Sequence, residues 1–69
     1  MTEYLSREKN RVRVQEGHNK KYIIIEEESA RPDFCYRFPP LNMRVFDTPA
    51  EAQEALDLYA ADHDLEVCP

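Results

Sequence analysis

The chain has one glycine, two cysteines and no tryptophan, and its longest uninterrupted apolar run is four residues. Each scarcity excludes something. A lone glycine leaves no room for the glycine-rich loops that cradle phosphates through backbone N–H groups. Runs of this length fall far short of the ~20 apolar residues a membrane-spanning helix needs. Cys35, Cys68, His18 and His63 are the only soft metal ligands, and no two lie within four residues of each other. Structural zinc sites draw on close pairs such as C-x2-C, so no metal and no other cofactor is expected. The opening stretch 1–9 has no apolar core and no small-residue cleavage site, which argues against a secretory leader. The expectation is therefore a cytoplasmic protein with reduced cysteines, and no membrane partner. Bridging Cys35 to Cys68 would need the last strand to lie beside the third.

What is present fits one small folded domain. Sixty-nine residues, 42% hydrophobic and 33% charged, make a single unit over 1–69, with 1–8 expected as a mobile N-terminal segment. A chain this short buries only about 60% of the surface its unfolded form exposes, and such domains often gain stability by association. The net charge of −5 is unevenly spread. Residues 7–21 carry six basic and two acidic side chains, whereas 22–69 carry three basic and eleven acidic ones. An acidic chain repels phosphate backbones, so nucleic acid is disfavoured unless the basic segment acts alone.

Polar and apolar residues alternate over Arg11–Glu16, and Lys21–Glu28, rich in β-branched residues, follows as a second strand; with Gly17–Lys20 as a turn in which Gly17 and Asn19 can take positive φ, this predicts a β-hairpin. A four-residue loop would set Glu16 opposite Lys21, Val14 opposite Ile23 and Val12 opposite Ile25. The other face would then pair Gln15 with Tyr22, Arg13 with Ile24, Arg11 with Glu26 and Lys9 with Glu28. That register joins apolar partners on one face and opposite charges on the other. Further strands are predicted at Phe34–Phe38, at Met43–Phe46 and, briefly, at Leu65–Cys68. Thr48-Pro49-Ala50-Glu51 reads as a capping box opening a helix that ends near His63, with Asp64 in the left-handed position. Ala52, Ala55, Leu56 and Tyr59 recur at helical spacing and form its buried stripe. The expected fold is α+β: a three- to four-stranded, mainly antiparallel sheet with one helix on one face, in β-β-β-β-α-β order.

No catalytic constellation emerges. Glu26, Glu27 and Glu28 are consecutive strand residues that alternate faces and so do not converge on one ion. The chain is therefore read as no enzyme. Two surfaces remain. Arg7, Lys9, Arg11 and Arg13 recur at period two and would form a basic stripe on one strand face, the footprint a nucleic-acid-binding domain would use. Tyr22 and Ile24 on the helix-free face, and Leu58 off the helix stripe, leave apolar groups without a partner. The candidate partner surface is thus Tyr22, Ile24, Leu58, Arg11 and Arg13. It suits a small protein-interaction module acting as a homodimer or regulatory subunit, with protein (self or another chain) as partner. Nucleic-acid binding through the basic first strand is the alternative, and a small metal-binding protein the second.

The run Phe46-Asp47-Thr48-Pro49-Ala50-Glu51-Ala52-Gln53-Glu54-Ala55 resembles the strand-to-helix junction of AP2-like domains from phage integrases. That resemblance implies three strands followed by one helix and a DNA-reading sheet. The tryptophan and dense arginines of that sheet are missing here, where only Arg37 and Arg44 remain. The size and strand-then-helix layout are also similar to small acidic MbtH-like proteins, without their tryptophan-containing motif.

Overall fold

A computed structural model describes all 69 residues and shows an α+β fold. Five strands, β1 (Tyr4–Leu5), β2 (Arg11–Glu16), β3 (Tyr22–Glu27), β4 (Cys35–Arg37) and β5 (Glu66–Val67), accompany one helix, α1 (Pro49–His63). They form a single sheet in the order β4-β3-β2-β1-β5, with every neighbouring pair antiparallel. No helix is long and apolar enough to cross a membrane.

The sheet is wider than the three or four strands expected. The segment expected to be mobile supplies β1, whose Tyr4 pairs with Val12 on one side and Val67 on the other. A tight turn makes this possible: Ser6 N–H bonds the Asn10 carbonyl at 2.8 Å, and Lys9 takes a positive φ of 65°. The strand expected at Met43–Phe46 is reduced to one antiparallel bridge between Phe46 and Tyr22.

The central hairpin differs from expectation by one residue. Arg11 pairs with Glu27, Val12 with Glu26, Arg13 with Ile25, Val14 with Ile24, Gln15 with Ile23 and Glu16 with Tyr22. The connection is five residues long, built on a short 3-10 turn at His18–Lys20 in which Asn19 and Lys20 both have positive φ. Gly17, expected to use that freedom, has φ −103°. Because side chains alternate at period two, a one-residue shift exchanges the faces of β3 relative to β2. Val12, Val14, Tyr22, Ile24 and Glu26 therefore face α1, while Arg11, Arg13, Gln15, Ile23, Ile25 and Glu27 face away.

The helix forms as its local chemistry dictates. Thr48 Oγ1 accepts from Glu51 N–H at 3.2 Å, Pro49 occupies the first turn, and Asp64 closes the C-terminus at φ 54°. The Ala60 carbonyl accepts from both the Asp64 N–H and, at 3.0 Å, the Leu65 N–H, which folds the chain back at the helix end. Ala52, Leu56 and Ala60 are buried on the sheet. With Val12, Ile24, Phe38, Leu41 and Phe46, the first two complete a core of seven residues. The small Ala52 lets the helix come close, and Leu56, fully buried, fills the space between α1 and β2–β3.

Candidate functional site

The predicted site residues do not come together. Ile24 is fully buried beneath α1, because the register turns it inward. It is core and offers nothing to a partner. Tyr22, half-buried, packs against the same core and bridges to Phe46. Leu58 is 63% exposed, alone on the outer side of α1.

Arg11 and Arg13 do project from the helix-free face, but both are engaged. Arg13 reaches Glu27 at 3.2 Å and Gln15 at 2.7 Å, and Arg11 lies 3.4 Å from Glu3 and 3.7 Å from Glu27. The continuous basic stripe does not form, since Arg7 sits in the turn and Lys9, in a left-handed conformation, pairs with Glu66 at 2.9 Å. Arg11 meets Glu27 across the strands, not Glu26.

The helix-free face is not an apolar platform either. Ile25 lies on it yet is only 3% exposed, flanked in register by Arg13 and Arg37. Long arginine stems shield an apolar neighbour while their heads stay polar, here Arg37 Nη2 donating to the Arg44 carbonyl at 3.0 Å.

The two cysteines are free and lie at opposite edges of the sheet, Cys35 in β4 and Cys68 just past β5. Four strand spacings of about 4.8 Å separate those edges, well beyond the reach of a disulfide. No group of three or more His, Cys, Asp and Glu side chains is placed to hold a metal ion.

Besides the small pocket at Arg11 and Glu27, of about 220 Å³, a wider concave feature lies elsewhere. At the C-terminal end of α1 a cavity of about 530 Å³ opens between the helix and the sheet. Glu26 and Tyr36 line it from the sheet, Phe38, Pro39 and Pro40 from the segment after β4, and Tyr59, His63 and Leu65 from the helix end. Ser6, Arg7 and Glu8 complete it from the turn after β1. Phe38 meets Tyr59 edge-on at 5.3 Å, and Tyr59 stacks on His63 at 4.2 Å, so one aromatic ladder forms the helix-side wall.

Glu26 is the anomaly in this groove. It is 3% exposed, opposite Val12 on the helix-facing side of the sheet. Asn10 Nδ2 donates to its Oε2 at 3.1 Å. Asn10 is itself held in place, accepting from Ser29 N–H on its Oδ1 and donating its own N–H to Ser6 Oγ, both at 3.2 Å. Tyr36 sits directly across from Glu26 in β4. Its phenol pKa is raised above the ordinary value, first by desolvation, then by the negative charge of Glu26 and a hydrogen bond to it. The six ion pairs of the molecule leave Glu26 out.

Sequence reasoning missed this site because it gave Glu26 a cross-strand partner, Arg11. The signal lay in the loop: a five-residue connection would have put Glu26 inside. Comparison with models of known protein families, with curated proteins and with solved structures finds no significant match.

Proposed function

We propose that the protein is a small non-enzymatic interaction module, a subunit of a larger assembly in a reducing cytoplasm, that docks an extended polypeptide at the groove beside β4. The observation that carries this reading is the continuity of the groove with a free sheet edge. Phe38 N–H bonds the Ile24 carbonyl and Glu28 N–H bonds the Phe34 carbonyl, at 2.9 and 3.1 Å. In an antiparallel pair hydrogen-bonded residues alternate, so Cys35 and Arg37 direct their backbone groups away from β3. β4 is the outermost strand on that side. A peptide added along it would gain main-chain hydrogen bonds, with alternate side chains falling into the groove lined by Tyr36, Phe38 and Tyr59.

Of the two forms of association expected, a subunit of a mixed assembly is favoured over a homodimer. Two copies each carrying −5 repel, and Ile24, the central apolar group of the proposed self-association face, belongs to the core.

Selection of a displayed random-peptide library on the protein tests the reading. Enriched peptides are expected to lose binding to Pro40→Trp, which fills the groove mouth, and to keep it with Leu58→Ala on the outer helix face. Peptides indifferent to Pro40→Trp, or no enrichment at all, would overturn the docking function.

A further inference from the structure

A carboxylate withdrawn from water is strongly disfavoured unless a cation or several donors compensate it. Glu26 is withdrawn, and its one side-chain hydrogen-bond partner, Asn10, is neutral. Tyr36, Phe38 and Tyr59 also line the groove, and aromatic rings are favourable neighbours for a cation. Arg7 and Glu8 at the rim offset each other, so Glu26 sets the sign of the groove. The chain as a whole is acidic.

We propose that the groove selects a lysine or arginine side chain of the docked polypeptide, with Glu26 as its counter-charge. This rests on the docking function above and adds what the docked segment must contain. A three- or four-methylene stem lets the cationic head reach the carboxylate while the partner's backbone stays at the β4 edge, and the stem packs along Phe38 and Tyr59. Ammonium or guanidinium hydrogen bonds to a carboxylate are the strong, charge-assisted kind, made stronger where water is excluded. The fixed orientation of Glu26, set by Asn10 and through it by Ser29 and Ser6, means little ordering remains when the cation arrives.

The test titrates Nα-acetyl-lysine N-methylamide, its arginine counterpart and the neutral norleucine analogue into the isotope-labelled protein, followed by amide chemical shifts. The two cationic probes are expected to shift Glu26, Tyr36, Tyr59 and His63 with millimolar affinity, and norleucine to bind at least ~10-fold more weakly. Glu26→Gln, which keeps the acceptor for Asn10, is expected to remove that preference, and Glu26→Asp, which keeps the charge, to retain it. Equal binding of norleucine and lysine probes, or no shift at the groove with any probe, would overturn the selection. Library peptides that bind the groove without a shared basic residue would overturn it too, while leaving the docking function standing. A library yielding no groove binder would remove the docking function itself.

Discussion

The two ends of the helix–sheet interface are built from the same elements and do opposite things. Toward the start of α1, Ala52 and Leu56 pack on Val12, Ile24 and Phe46, a wholly apolar contact. Toward its end, Tyr59 and His63 stand over a groove whose sheet side carries Glu26 and Tyr36. One end closes on small and branched side chains that interlock. At the other, aromatic rings face a buried charge across an open space. A protein with so few residues to bury packs one end of its helix–sheet interface less tightly than the other, and the proposed docking would use that open end.

The packed end is the more sensitive of the two to substitution. Leu56→Ala is expected to cost about 2–5 kcal/mol, the usual range for a large core residue cut to alanine, in chemical denaturation. A loss under about 1 kcal/mol would mean that this end is no tighter than the other. Thr48→Ala, which leaves Glu51 N–H without its cap, is expected to cost about 1 kcal/mol in the same measurement.

At the open end the expected sign differs. Glu26→Leu puts an apolar side chain of similar size where a charge lacks a counter-ion. It is expected to change stability by no more than about 1 kcal/mol, or to raise it, while abolishing peptide binding. A loss as large as that of Leu56→Ala would make Glu26 a structural residue and erase the contrast.

The smallest effect is spectroscopic. Tyr4, which donates a 2.7 Å hydrogen bond to Asp57, has its pKa raised mainly by that bond, as Tyr36 has mainly by desolvation. A raised folded-state pKa means that the native protein holds the phenol proton more tightly than the unfolded chain. The associated stability is fully present below the unfolded value of about 10 and is lost as pH rises through the folded values. Ultraviolet titration should show two of the four tyrosines ionising late, one lost in Tyr4→Phe and the other in Tyr36→Phe. A single transition near ~10 for all four would contradict this.

The same contrast explains what could be read from the sequence. The helix was legible because its determinants are local: Thr48, Pro49 and Asp64 act within a few residues of where they stand. The α+β class followed from that helix and from the β-rich hairpin. Register was not legible, because it depends on the loop, and two consecutive positive-φ residues at Asn19 and Lys20 are not announced by residue type in the second case. The rule of apolar against apolar and charge against opposite charge holds at only two of the six positions of the hairpin, Val14–Ile24 and Arg11–Glu27. It failed at Glu26, whose pairing with Val12 on the core side breaks that rule. β1 was invisible because two residues carry no periodicity, and it exists only where β2 and β5 pair with it.

An intermolecular nuclear Overhauser measurement reports on whether a cationic side chain of a partner sits in the groove against Glu26, as proposed. With a library-derived basic peptide bound, contacts are expected from a lysine ε-methylene or arginine δ-methylene to the rings of Tyr36 and Tyr59, together with a shift of the Glu26 carboxyl carbon. Contacts confined to the Arg11–Arg13 face or to Leu58, with the Glu26 resonance unmoved, would contradict it.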